Sequence, residues 1–165
     1  MTKPRRGAQD TWMPNRTELE SIQPDAFIAN ASIECMTEVQ LGQLAASQSE
    51  GEPVRQFAHQ LVQDYEKASS DIARIAARRK LPVPESLDEA HAREVQLLRE
   101  KNGREFDSAY TMRILDNYQK TILLFKRGQR IKDPEISALA SRALSMLEAR
   151  MRKTTSLLEN LTPHS

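Results

Sequence analysis

DAFIANASIECMTEVQLGQLAASQ, residues 25–48, places its apolar residues in the pattern of one long amphipathic helix. Steps of four and three residues follow one helix face, which here carries Phe27, Ala31, Glu34, Glu38, Leu41 and Ala45. An acidic side chain, Glu38, therefore stands in the middle of a face that should contact the core. The segment predicts a helix that carries a carboxylate into the interior of the fold.

Two later segments have the same spacing and the same kind of interruption. One carries a tyrosine, Tyr65, among Val54, Ala58, Leu61, Ala68, Ile72 and Ile75. The other carries an arginine, Arg150, among Ile136, Ala140, Ala143, Leu147, Thr154, Leu157 and Leu161. If these helices pack on one another, a carboxylate, a phenol and a guanidinium converge inside a bundle.

Capping residues and breakers divide the chain into four long helices and one short helix. The predicted ranges are about Asp25 to Gln48, Pro53 to Arg79, Ser86 to Glu100, Glu105 to Arg127, and Asp133 to Asn160. Asp25 and Ser86 are predicted N-caps, and Gly128 is a predicted helix stop. Because short links join long amphipathic helices, we predict an all-α antiparallel four-helix bundle with a short extra helix in the crossover.

The N-terminal residues differ from the rest in composition. Residues 1–24 contain Pro4, Gly7, Pro14 and Pro24 as breakers and predict a disordered tail, followed by one bundle domain over residues 25–161. Trp12 is either a loosely packed residue of this tail or a contact with the bundle or a partner. The basic start has no apolar stretch behind it, so the chain as written has no secretory signal and is expected in the cytoplasm.

Composition excludes several classes of protein. Of the 165 residues, 39% are hydrophobic and only 5% aromatic, which suits a helical domain and argues against a β-sandwich. Lys and Arg number 24 against 23 Asp and Glu, a net charge of +1 that argues against nucleic acid as a partner. No transmembrane segment is predicted. The single cysteine, Cys35, has no disulfide partner within the chain and is predicted to be a buried thiol.

The sequence lacks the usual motifs of metal binding, catalysis and phosphate binding. A di-iron bundle needs two Glu-x-x-His motifs, and none of His59, His91 and His164 follows a glutamate by three positions. The sequence also lacks a nucleophile–base–orienter trio and a glycine-rich phosphate loop. We therefore predict no cofactor, no specific small molecule and no catalytic residue.

The order of segments nevertheless resembles a known family. TEVQLGQLA at residues 37–45 is followed by FAHQLVQDY at 57–65, EFDSAY at 105–110, NYQKTILLF at 117–125 and ALSMLEAR at 143–150. This series is similar to the bacterial ferritin-like family catalogued as domain of unknown function 4142, over about residues 27–161. The resemblance implies a ferritin-like fold and makes the periplasm the alternative location.

The resemblance also implies that three family histidines are replaced. Members of the family typically have histidine where this chain has Tyr65, Tyr118 and Arg150. The acidic residues Glu38, Asp64 and Asp107 and the phenol Tyr110 are retained. A fixed guanidinium opposes a bound cation, so the substitutions indicate a degenerate metal site.

We expect Arg150 to take the electrostatic place of a metal by pairing with a carboxylate from another helix. Glu38 is the first choice, Glu34 and Asp107 are alternatives, and Tyr65 and Tyr118 supply hydroxyls. The predicted structural polar cluster comprises Glu34, Glu38, Tyr65, Asp107, Tyr110, Tyr118 and Arg150. In the competing interpretation, Glu38 and Arg150 lie at the edge of the apolar helix face, where the aliphatic parts of their side chains let the charged groups reach water.

The favoured function is a non-enzymatic helical-bundle protein, stress-related or a protein-interaction module, derived from a metal-binding ancestor. Its expected partner is a second copy of the chain or another helical protein. The alternative is a metal-binding or redox protein of the ferritin-like class. Its ligands would be Glu38, Asp64, Tyr65, Asp107 and Tyr118.

Overall fold

The computed structural model describes residues 21–161, and this part of the chain contains five α-helices and no strand. They are α1 (Pro24–Gln48), α2 (Glu52–Arg79), α3 (Glu89–Arg99), α4 (Gly103–Gln129) and α5 (Pro134–Leu161). The all-α prediction, with one short helix between the second and third long ones, is therefore confirmed. Trp12, His164 and most of the predicted N-terminal tail lie outside the described residues.

Two predicted N-caps are each wrong by two residues, because the caps are Gln23 and Asp88. α1 begins at Pro24, because the fixed φ of proline suits the first helical position, and Asp25 lies in the first turn. α3 begins after Asp88, whose side chain accepts a hydrogen bond of 2.9 Å from the backbone N–H of His91. Ser86 lies outside this helix. The cap at Asp133 is confirmed: it accepts from the backbone N–H groups of Glu135 and Ile136 at 3.0 and 3.4 Å.

Gly128 does not stop α4, which continues to Gln129. This glycine is buried, and the ring of Phe27 on α1 packs where a side chain would otherwise project. Phe27 in turn meets Phe125 edge to face, with ring centroids 5.9 Å apart. The glycine therefore permits aromatic packing between α1 and α4.

Helix α1 is the central element of the fold. Its buried residues lie around most of its circumference, because it packs against α2, α3 and α4. The most extensive helix pairs are α1 with α2 and α4 with α5, and smaller contacts join α1 to α4 and α2 to α5. Gly42 of α1 lies against Val62 and the backbone oxygen of Ala58, so the absence of a side chain at this position permits close approach of α1 and α2.

Polar contacts fix the connections between helices. The amide of Gln48, the last residue of α1, donates to the carbonyl oxygens of Leu98, Arg99 and Lys101 at 2.9, 3.1 and 2.6 Å. These bonds hold the C-terminal end of α3 against α1. At the other end of the molecule, Arg79 of α2 pairs with Asp133 at the start of α5.

Within residues 21–161, every helix is too short or too polar to cross a lipid bilayer.

Candidate functional site: a polar centre between the helices

The polar centre is built around Glu38, which is 4% exposed. Its Oε1 atom accepts a hydrogen bond from Nη1 of Arg113, a residue of α4. The same guanidinium donates from Nε to Oε2 of Glu94 on α3 at 2.9 Å. Arg113 therefore joins α1, α4 and α3 in one ion-pair network.

Glu34 lies one turn before Glu38 and is 8% exposed. Its Oε1 atom accepts from Nδ2 of Asn117 at 3.0 Å and from the hydroxyl of Thr121 at 3.2 Å. Both donors belong to α4 and are neutral. Glu34 is thus held by dipoles, whereas Glu38 is held by a full positive charge.

Burial dominates the electrostatics of this centre. It raises the pKa of Glu38 to about 7, because a desolvated carboxylate is costly; Arg113 opposes the rise and Glu34 adds to it. Burial lowers the pKa of Arg113, but the Glu38 and Glu34 carboxylates outweigh it and raise that pKa overall. Burial, followed by the charges of Glu34 and Glu38, also raises the pKa of the Cys35 thiol, which is fully buried as predicted.

The predicted contact between Arg150 and Glu38 is wrong. Arg150 donates from Nε and Nη2 to Oδ2 of Asp64, the first of these at 2.8 Å. Asp64 directly precedes Tyr65 on α2, and its side chain is on the flank that α5 approaches. The two side chains are 24% and 23% exposed, so this pair lies at the edge of the interior. Glu34 and Asp107, the alternatives, are not its partners either.

Tyr65 and Tyr118 were expected to complete the hydrogen bonds of the ion pair. Both line a cavity of about 30 Å³, together with Glu34, Glu38 and Arg150. Burial raises the pKa of Tyr65 well above its ordinary value, and the negative charge of Glu38 raises it further. Among the described residues, neither hydroxyl bonds to Arg150 or Glu38, so the tyrosines border the cavity without closing the network.

Asp107 serves a different part of the structure, whereas burial and then the Glu38 carboxylate raise the pKa of the Tyr110 phenol. Asp107 is fully buried, and its Oδ2 atom accepts a 3.1 Å hydrogen bond from the backbone N–H of Gly51 at the start of α2. Tyr110 stacks on Phe106, with ring centroids 5.6 Å apart. Asp107 Oδ1 and the Tyr110 hydroxyl are buried without a protein partner in residues 21–161. Asp107 therefore anchors the α1–α2 connection.

Arg113 is the principal residue that the sequence analysis missed. The spacing rule used for the other helices gives a matching series on α4, namely Phe106, Tyr110, Arg113 and Asn117, and Thr121 lies one further turn along the same helix. Applied to α4, that rule would have placed a second arginine on an interior seam. It would also have identified Asn117 and Thr121, the two donors to Glu34.

A cleft of about 330 Å³ leads from the surface toward this centre. It lies between α1, the start of α3 and α4, and His91 and Lys120 are at its sides. Glu34 and Thr121 line both this cleft and the small cavity. The carboxylate of Glu34 is therefore shared by the two spaces.

Neither of the two described histidines bonds to Glu34 or Glu38, although His91 lines the cleft that reaches Glu34. His59 is exposed and lies 3.3 Å from the amide of Gln63, whereas Nδ1 of His91 lies 2.6 Å from the Asp88 carboxylate. Among residues 21–161, no group of three or more His, Cys, Asp and Glu side chains is arranged to hold a metal ion.

Comparison with known proteins gives one match. No curated protein and no solved structure shows significant similarity to the chain. The sequence profile of the family described as Domain of unknown function (DUF4142) matches residues 10–157, which include all of α1 to α4 and most of α5. The chain therefore belongs to this family.

Proposed function

We propose that the chain is a non-enzymatic, ferritin-like helical bundle whose interior ion pairs stand where a metal site would otherwise lie. The four long helices make pairwise contacts in the cyclic order α1, α2, α5, α4, which is the arrangement expected of a four-helix bundle. The short helix α3 belongs to the crossover between the two hairpins. These contacts support the bundle topology.

The observation that carries the proposal is the engagement of Glu38 by Arg113. Of the acidic residues near the cavity, Glu38 is the most deeply buried, and a guanidinium occupies one of its oxygens. Asp64 is likewise engaged by Arg150. A cation entering this centre meets two fixed positive charges, which oppose its binding. The polar centre therefore serves to join the helices.

Metal analysis of the purified full chain tests the proposal. We expect no stoichiometric iron, manganese or zinc by inductively coupled plasma mass spectrometry after incubation with each ion and desalting. The alternative, a metal-binding or redox protein, uses Glu38, Asp64, Tyr65, Asp107 and Tyr118 as ligands. Stoichiometric metal that is lost in Glu38→Ala and retained in the surface control Glu89→Ala would establish that alternative.

A structural or interaction protein should act through assembly. We propose that its partner is a second copy of the chain or another helical protein, because amphipathic helices recognise one another through apolar faces. Sedimentation equilibrium over a wide concentration range tests the first partner. A monomer at all concentrations would exclude self-association and leave a heterologous partner.

A further inference from the structure

The cleft between α1, the start of α3 and α4 has a buried carboxylate in its wall. Its volume of about 330 Å³ is in the range of small-molecule sites, about 300–1,000 Å³. The aliphatic side chains of Ile33, Leu123 and Leu124 line it. Glu34 lines it too, although this residue is only 8% exposed. An apolar cleft with a few polar groups is the usual form of a small-molecule site.

Glu34 differs from its neighbour Glu38 in having no cation bonded to it. The donors to Glu34 are an amide and a hydroxyl, and among residues 21–161 no lysine, arginine or histidine forms an ion pair with it. The guanidinium of Arg113 attracts Glu34, but it donates its hydrogen bonds to Glu38 and Glu94. Since a buried carboxylate without a bonded cation is costly, a cation in the cleft would be held by Glu34.

The groups around Glu34 favour an organic cation over a metal ion. A metal ion takes several oxygen or nitrogen ligands, and the described residues contain no group of three acidic, histidine or cysteine side chains arranged to supply them. An alkylammonium ion needs less. Its N–H groups donate to one carboxylate in charge-assisted hydrogen bonds, and its chain buries apolar surface against the aliphatic wall of the cleft.

Basic side chains of α4 line the same cleft, namely Lys120 and Arg127. Hydrogen bonds from His91 lower the pKa of Asp88 below its ordinary value, and the charge of Lys120 lowers it further, so Lys120 lies on the side of the cleft where α3 begins. The Asp88 carboxylate is engaged by His91. The two basic residues therefore repel a second positive group on a ligand and attract a negative one.

We propose that this cleft binds a small aliphatic amine that carries a carboxylate at its other end. The ammonium group donates to Glu34, the methylene chain lies against Ile33, Leu123 and Leu124, and the carboxylate faces Lys120. This inference goes beyond the proposed function, because a polar centre that joins helices needs no ligand.

An NMR titration of the full ¹⁵N-labelled chain tests the proposal with a matched series of probes. ε-Aminocaproate carries both charges, hexylamine the ammonium alone, hexanoate the carboxylate alone and hexanol neither. We expect saturable shifts of the backbone amide signals of Asn30, Ile33 and Thr121 with the two amines, and tighter binding of ε-aminocaproate. Hexanoate and hexanol should bind at least about tenfold more weakly than hexylamine, because neither can donate a charged hydrogen bond to Glu34.

Substitutions assign the two ends of the ligand. Glu34→Gln removes the charge and keeps the shape, so the affinity for hexylamine should fall by at least about tenfold. Lys120→Gln should weaken the binding of ε-aminocaproate and leave that of hexylamine no weaker. The matched control is Glu159→Gln, which removes a carboxylate from an exposed position on α5, outside the cleft.

Several results would overturn the proposal. They are the absence of saturable shifts with either amine, equal affinities for hexylamine and hexanol, amine binding that Glu34→Gln leaves unchanged, and ε-aminocaproate binding that Lys120→Gln leaves unchanged. If Glu34→Gln does not fold, the comparison of hexylamine with hexanol in the unmodified chain decides by itself. Metal analysis tests the proposed function separately, so the two can fail independently.

Discussion

At the scale of single residues, burial makes two arginines that form cross-helix ion pairs, Arg113 and Arg150, unequal. The side chain of Arg113 is 13% exposed and that of its partner Glu38 5% exposed. Arg150 and Asp64 are both exposed to about a quarter of their side-chain area, where solvent screens their attraction. Removing one partner of a buried pair leaves an uncompensated charge, whereas a charge at the edge of the interior can be hydrated.

Replacement of Arg113 should therefore destabilise the protein far more than replacement of Arg150. We expect Arg113→Met to lower the free energy of unfolding by about 3 kcal/mol and Arg150→Met by about 1 kcal/mol or less, as measured by urea denaturation. Adding Glu38→Gln to Arg113→Met should recover part of the loss, since the stranded carboxylate is gone. Equal losses for the two arginine variants would contradict this ranking.

A second prediction concerns Gly128. A Cβ atom at this position would overlap the ring of Phe27, which is fully buried, so the ring or one of the helices must shift. Gly128→Ala should therefore cost about 1–3 kcal/mol by overpacking, even though alanine favours helix by about 1 kcal/mol. The double variant Gly128→Ala, Phe27→Leu should show a smaller loss than the sum of the single variants. Additive losses in urea denaturation would show that the two positions are not in contact.

At the scale of helices, polar contacts at the helix ends fix how neighbouring helices are arranged. α2 ends and α5 begins at the same place, where Arg79 meets Asp133 and Glu135. Asp133 also caps α5 by accepting from two backbone N–H groups. One side chain thus stabilises the first turn of a helix and its position beside another helix.

Substitutions at Asp133 should separate these two contributions. Asp133→Ala removes the cap and the ion pair, and we expect a loss of about 1 kcal/mol from the cap alone. Asp133→Asn keeps an oxygen that can cap α5 and should cost less. Thermal unfolding of both variants, monitored by circular dichroism, checks the order. A larger loss for the asparagine variant would refute the capping role.

The attachment of α3 depends on Gln48. Its amide is bonded to three carbonyl oxygens at the C-terminal end of α3, so Gln48→Ala leaves those acceptors without this donor. We expect faster amide hydrogen exchange in residues 89–101 and unchanged exchange in α2 and α5. Uniformly faster exchange across all helices would instead indicate global destabilisation.

At the scale of the whole molecule, the proton affinity of Glu38 should make stability depend on pH. Glu38 ionises near its ordinary pKa of 4.5 in the unfolded chain and near 7 in the folded one. Between these values the folded state binds more protons, so its stability falls as the pH rises. The contribution is fully present below about pH 4.5 and is lost once the pH passes about 7.

Urea denaturation from about pH 5 to about pH 8 measures this effect. Relative to Glu38→Gln, the unmodified chain should lose roughly 2–3 kcal/mol over that range. The comparison removes the contributions of other titrating groups, since both proteins share them. A constant difference between the two proteins would rule out a raised pKa for Glu38.

The sequence predicted the helices and the buried positions well, because helical periodicity records which face contacts the core. Glu38 and Tyr65 are buried as their spacing predicts, and the two N-caps that were wrong lie two residues from the observed ones. The ion-pair partners were missed for a different reason. Periodicity gives the face of its own helix on which a side chain lies, but not which residue of the neighbouring helix lies opposite it. Arg150 therefore pairs with Asp64, the residue before Tyr65 of the predicted apolar face.

The bond from the Gly51 N–H to Asp107 bears on the order in which the chain folds. It joins residues 56 positions apart. The connection between α1 and α2 can therefore form this hydrogen bond only after α4 has packed against them. A fragment that ends at residue 80 lacks this anchor and also the aromatic partner of Phe27. The first hairpin is thus not expected to be autonomous, and folding should proceed as one cooperative step limited by non-local loop closure.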